Sequence, residues 1–226
     1  MVGFYWWSII LLVPALILGI YAQAKVSSTF NKYSQIPSRR GLTGAQGARQ
    51  VLDSAGLTDV GIEIGGGRLS DHYDPRTRTL TLSPPVGNSN SLASLGVACH
   101  EAGHALQHQE GYAAFRLRSA IVPVANLGSN LGFILFFIGL LFYRNGLLMS
   151  VGIILYSAAV LFTIVTLPVE FNASKRAMTL LENRSILTGD ELVGARKVLS
   201  AAALTYVAAA LMAILQLLRL ILISRR

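Results

Sequence analysis

Ala98-Cys99-His100-Glu101-Ala102-Gly103-His104-Ala105-Leu106-Gln107-His108 is the stretch from which the fold and the chemistry of this chain are read. Ser91 precedes it as an N-cap, and the pattern predicts a helix from about Leu92 to Gln107. His100 through His104 carries the His-Glu-x-x-His spacing. Residues four apart share one helical face, so two imidazoles can hold one ion. Zinc accepts such nitrogens. Glu101 follows the first imidazole directly. It can stand beside the metal without occupying it and take a proton from zinc-bound water. A pair of satisfied core histidines would show the same spacing. The clean N-cap, the small residues nearby and the fact that two of only four histidines fall here favour one Zn2+ per chain.

A catalytic zinc needs a third protein ligand and an open position. His108 is one candidate. On an unbroken helix it sits about 12 Å beyond His100 along the axis, so it could join only if the helix broke after His104. A glycine serves such a break in the metzincin pattern, and here the interval is Ala105-Leu106-Gln107. Glu170 is the other candidate, in Leu167-Pro168-Val169-Glu170-Phe171-Asn172-Ala173-Ser174-Lys175-Arg176-Ala177. A carboxylate at a membrane boundary needs a partner or water. A solvated glutamate paired with Arg176 is the bland alternative.

Outward from these stretches the chain is lipid-like. Of its 226 residues 53% are hydrophobic and only 13% charged, against about 25% charged in soluble domains. Four apolar runs hold the difference, at about 4–22, 121–143, 147–167 and 201–223. Each approaches or exceeds the ~20 residues that cross a bilayer. Ala22-Gln23-Ala24 resembles a signal-peptidase site, but the preceding run is longer than a signal core, so a retained helix is expected, with Tyr5, Trp6 and Trp7 at an interface. Asn126, Asn130 and Gln216 lie within the runs and are expected to face protein.

Four spans place the two polar stretches, about 23–119 and 171–200, on one side of the membrane. They hold most of the Lys and Arg, which puts that side, and the zinc site, in the cytoplasm. Arg219, Arg225 and Arg226 pull the other way. The expected division is a first transmembrane helix (1–22), a zinc-protease domain (23–119), a transmembrane hairpin turned at Arg144-Asn145-Gly146 (120–167), a third-ligand helix and loop (168–200) and a last transmembrane helix with its tail (201–226). The net charge of +8 accompanies no basic-aromatic pattern, so membrane lipid and not nucleic acid is the expected partner. Cys99 is the single cysteine, so no intrachain disulfide forms, and a small buried helix residue is expected.

The first polar stretch reads as a small mixed domain. Thr43 caps a helix that Gly56 stops, Val60–Ile64 and Arg78–Leu82 alternate as strands, and Gly65-Gly66-Gly67 breaks the chain between them. Asp71-His72-Tyr73-Asp74 reads as shaping a turn, with His72 or Tyr73 as alternative oxyanion partners. The strand at Arg78–Leu82 is a place for an extended substrate to add. Arg176 and Tyr206 are further oxyanion candidates.

These pieces resemble the YugP-type family of bacterial membrane zinc metallopeptidases: Asp71-His72-Tyr73-Asp74-Pro75, His100 to His108, and Pro168 to Ala177. More distantly the chain is similar to the HtpX and CAAX prenyl protease group. There a glutamate on a later helix is the third ligand, and an aspartate often follows it by four residues; Ser174 stands at that place here. The resemblance implies a mainly α membrane protein with a gluzincin-like zinc-protease domain containing a small β-sheet. It implies zinc on His100, His104 and Glu170, with Glu101 assisting attack of zinc-bound water on a peptide bond. His72, Tyr73, His108, Asn172, Ser174 and Arg176 are the residues around them with supporting or oxyanion roles to fill.

The substrate would be a polypeptide, such as a membrane or misfolded protein, and the location a multi-pass position in the bacterial plasma membrane. A homo-oligomer and a complex with a membrane partner protein are both open. The competing reading is a non-catalytic membrane scaffold or partner subunit with a structural zinc. A transporter fits poorly, because the spans hold few ionisable residues and no paired broken helices.

Overall fold

A computed structural model describes residues 8–67, 70–142 and 145–225. Tyr5, Trp6, Trp7, Arg144 and Arg226, which carried expectations above, lie outside the described residues. The chain is mainly helical, with a small sheet. It contains α1 (Val13–Ser34), α2 (Gly44–Ser54), β1 (Gly61–Ile64), β2 (His72–Asp74), β3 (Thr79–Leu82), α3 (Pro84–Gly87), α4 (Leu92–Gln109), α5 (Ala113–Leu141), α6 (Gly146–Asn183) and α7 (Asp190–Ser224). It divides into two compact units. One comprises Ala24–Phe115 with Val169–Ala203; the other comprises the stretch up to Gln23, Arg116–Pro168 and the chain from Leu204.

The membrane-type unit is built from helices long and apolar enough to cross a bilayer. Among the described residues four candidate spans occur, at Ser8–Ser34, Ala113–Leu141, Gly146–Asn183 and Asp190–Ser224. Every one outruns its apolar stretch, so these helices do not stop where their apolar composition does. Asn145 starts α6 by accepting the backbone N–H groups of Leu147 and Leu148, each at 3.1 Å. Glycines let α5 and α6 approach: a methyl group at Gly152 would lie 2.6 Å from the Gly132 carbonyl oxygen. Gln216 is buried as expected, but Asn126 and Asn130 are exposed. Within the helix, the Asn130 side chain donates to the Asn126 carbonyl at 3.5 Å, so its polarity is partly satisfied on its own backbone.

The other unit holds the mixed domain. Thr43 and Gln46 form a reciprocal capping box at the start of α2, with bonds of 3.2 and 3.0 Å. Gly56, at φ +75°, supplies the left-handed residue beyond the helix end. The buried face of α2, with Ala48, Val51 and Leu52, shares one core with Leu95, Ala98 and Cys99 of α4. Leu80 and Leu82 close that core from β3, both fully buried.

The sheet corrects two expectations. Asp71-His72-Tyr73-Asp74 does not merely turn the chain: His72–Asp74 is a strand, antiparallel to β3 with Tyr73 opposite Leu80. The order is β1-β3-β2, and β1 is parallel to β3. Thr79–Leu82 is therefore the central strand, paired on both sides, and cannot take an added strand. The open edges belong to β1 and β2.

The capping box should matter measurably. Thr43→Ala removes one of its two bonds and is expected to cost about 1 kcal/mol, or roughly 2–4 °C in thermal midpoint for a chain of this size. Thermal unfolding in detergent checks this; an unchanged midpoint would show that the box contributes nothing.

Candidate metal centre

α4 carries His100, Glu101 and His104 into the interior, all three buried. The helix holds because Ser91 Oγ accepts the Ser94 N–H at 3.2 Å, and because an almost unbroken buried sequence from Leu92 to Gln107 packs on every side. α6 brings Glu170 to it. Val169, Ala173, Ala177 and Leu181 are each fully buried at four-residue spacing, which marks one face of α6. Opposite Ala173 stands Gly103. A methyl group there would lie 2.7 Å from the Ala173 carbonyl oxygen, so only glycine permits this approach.

The result is a convergence of three donors. Glu170 Oε2 is 3.1 Å from His100 Nε2 and 3.6 Å from His104 Nε2. The imidazoles stand edge to face, with ring centres 4.8 Å apart. One ligand atom from each of His100, His104 and Glu170 lies within 4.8 Å of the others, and all three residues are buried. A carboxylate only 2% exposed needs strong compensation. Two nitrogens and one oxygen are donors that zinc takes, and three protein donors leave a position open. The residues present therefore fit a catalytic zinc site.

Around this set the side chains fall into place unequally. Ser174 Oγ lies 3.0 Å from His100 Nδ1. Asn172 Oδ1 accepts from Arg176 Nε at 2.6 Å, and Arg176 pairs with Glu110 at 2.5 Å, not with Glu170. The Arg176 guanidinium holds the Glu110 carboxyl below its ordinary range. α4 continues unbroken through Gln109, so the break that His108 would need does not occur. His108 Nδ1 instead shares a hydrogen bond of 2.9 Å with the Tyr73 hydroxyl, whose ionisation burial pushes up. Phe115 packs on the rings of both His104 and His108. His72 is exposed and bonded to the Ser70 carbonyl at 2.8 Å. Tyr206 belongs to the membrane-type unit.

Gln107 is the residue that sequence reasoning passed over. It is fully buried, its Oε1 lies 3.0 Å from His104 Nδ1, and its Nε2 donates to the Val169 carbonyl and to Asn172 Oδ1. The available sign was an uncharged polar residue three positions after His104 on a helix otherwise buried at that level.

Comparison with known proteins gives a consistent picture. The family described as "Putative neutral zinc metallopeptidase" matches residues 8–225. The chain is 50% identical over 215 residues to a Bacillus subtilis (strain 168) protein named "Putative membrane protease YugP", covering 95% of each. No solved structure matches the chain.

Two outcomes test this geometry. Gly103→Ala is expected to push α6 from α4 and weaken zinc binding about tenfold or more, in the range of losses seen when ligand support is disturbed; a chelator competition reads the affinity and circular dichroism the helix content. Burial pushes the Cys99 thiol up to about 12. Native protein should therefore resist alkylation at pH 8 and react only after unfolding, which mass spectrometry would follow; fast native labelling would contradict the packing around α4.

Proposed function

Because this chain belongs to the neutral zinc metallopeptidase family matched above, we propose that it is a membrane-embedded zinc endopeptidase whose ligands are His100, His104 and Glu170. The convergence of these three buried side chains within 4.8 Å carries the reading. Zinc bound there would polarise a peptide carbonyl and make water acidic enough to deprotonate near neutral pH.

The chain's own residues do the rest. Glu101 follows a ligand on α4 and is buried beside the donor set. It takes a proton from the attacking water and returns it to the leaving amine. Ser174 orients His100 through Nδ1. The Tyr73–His108 bond ties β2 to the ligand helix, so the open β2 edge is the place for an extended substrate segment. Substrates would be polypeptides, with membrane and misfolded proteins the class suited to an enzyme with four candidate spans. The positive-inside distribution favours a multi-pass chain in the plasma membrane with the site on the cytoplasmic side.

Elemental analysis and cleavage of an unfolded polypeptide, measured together, test the reading. Wild type should hold about one zinc per chain. Glu101→Gln should keep the metal and lose about 10²–10⁴-fold in turnover. Glu170→Ala should lose the metal, and chelation of wild type should abolish cleavage until zinc is restored. Unimpaired cleavage by Glu101→Gln would reject this mechanism. Full zinc in Glu170→Ala would reject the ligand set.

A further inference from the structure

Beyond the ligands lies a chain of hydrogen bonds whose direction is fixed from its outer end. Arginine has donors only, so Arg176 Nε must donate to Asn172 Oδ1, at 2.6 Å. That leaves the oxygen of Asn172, not its amide nitrogen, turned toward Gln107. A backbone carbonyl only accepts, so Val169 requires the Gln107 amide nitrogen, at 2.8 Å. The same nitrogen donates its second hydrogen to Asn172 Oδ1 at 2.9 Å. Both demands turn Gln107 the same way, and its Oε1 is left facing His104 Nδ1 at 3.0 Å. An acceptor at that place requires the proton of His104 to sit on Nδ1. In the neutral imidazole the lone pair is then on Nε2, the nitrogen that faces Glu170.

We infer that Gln107 is a positioning residue of the metal centre, and that the ion pair Glu110–Arg176, through Asn172, sets its orientation together with the Val169 carbonyl. This rests on the ligand set proposed above. The relay starts on Glu110, which ends α4, crosses to Arg176 and Asn172 on α6, and returns to Gln107 on α4. It therefore does two things together. It selects the tautomer of one ligand, and it ties the backbone beside Glu170 to the helix that bears the histidines. Gln107 is fully buried, so losing one of its partners leaves a buried amide group at its full desolvation cost. Arg176 reaches it from a side chain that is 21% exposed, so the setting of a buried ligand is accessible from the surface.

Zinc dissociation constants of the full-length protein in detergent, by competition with a chromophoric chelator, test the relay. Wild type, Gln107→Ala, Arg176→Ala and the double variant are compared, and the histidine ¹⁵N shifts of the metal-free proteins are recorded. Each single variant should bind zinc about 10–100-fold more weakly, the usual effect of removing a ligand's supporting partner. The double variant should be no weaker than Gln107→Ala, because Arg176 acts through Gln107. Wild-type His104 should show the Nδ1-protonated form, and Gln107→Ala a mixture.

Zinc affinity unchanged in a folded Gln107→Ala, or losses that multiply in the double variant, would overturn the inference. So would a wild-type His104 protonated on Nε2 alone. Should Gln107→Ala not fold, Arg176→Ala carries the test from the outer end: it should still weaken zinc and mix the tautomers, and wild-type behaviour there would overturn the relay. His104→Ala and Glu170→Ala run alongside as controls. If those two keep zinc, the ligand set itself is wrong. If they lose it while the Gln107 and Arg176 variants match wild type, only the relay is wrong.

Discussion

The contact of Gly103 with Ala173 is the constraint on which the site depends. Two helix backbones meet there at a distance that leaves no room for one methyl group. α6 contributes only small residues at that level, Ala173 and Ala177, both fully buried. Without the approach, Glu170 Oε2 would not stand 3.1 Å from one imidazole and 3.6 Å from the other. Ser174 would not reach His100, nor Gln107 the Val169 carbonyl, because these bonds also cross from α4 to α6. Close packing of this kind is nearly inelastic, since interiors are filled to crystal-like density. A displacement at Gly103 is therefore passed to every donor on the facing helix.

The electrostatics explain why such a contact is worth maintaining. Burying an ionised carboxylate unpaired costs several kcal/mol or more. Neutral hydrogen bonds return only about 1 kcal/mol each. The two imidazoles beside Glu170 supply part of the compensation that its burial needs. A divalent cation held there would add to it, by pairing the carboxylate and drawing on both imidazoles. Metal affinity and stability then become linked quantities. The polar groups behind the ligands are hydrogen-bonded to one another, from Ser174 to the Glu110–Arg176 pair, which limits the reorganisation that binding requires.

Sequence patterns exposed whatever is local. The Thr43 cap, the Gly56 stop, the helix carrying His100 and His104, and the four apolar runs each depend on residues within one or two turns of one another. Apart from Glu170, which the family resemblance supplies, what pairing decides stays hidden. The strand at His72–Asp74 has three residues, too few for an alternation to register. The central place of Thr79–Leu82 follows from two partners, neither of which its own sequence names. Gln107 was missed for the same reason: its partners Val169 and Asn172 are 62 and 65 residues away. Asn126 and Asn130 failed in the opposite sense. Polarity within an apolar run was taken to require a protein neighbour, whereas a short amide can turn back to its own helix.

The apolar runs also hid how far their helices continue. α6 has 38 residues, about 57 Å of rise, where a hydrocarbon core of ~30 Å needs only about 20 residues. Its apolar stretch ends near Pro168, and the division between the two compact units falls at that residue. Proline lacks the N–H that would bond the fourth carbonyl before it, yet the helix passes through without a break. Two residues later comes Glu170, then Asn172, Ser174 and Arg176. One helix thus runs from an apolar, span-like stretch into a buried polar one with a single backbone bond missing at Pro168. A ligand placed so soon after a span is held by the same ladder as the span itself. A loop would leave Glu170 free to turn toward water and regain its hydration. The helical backbone of α6 from Val169 to Ala177 removes that freedom, which makes this stretch as much a part of the candidate metal centre as the histidines on α4.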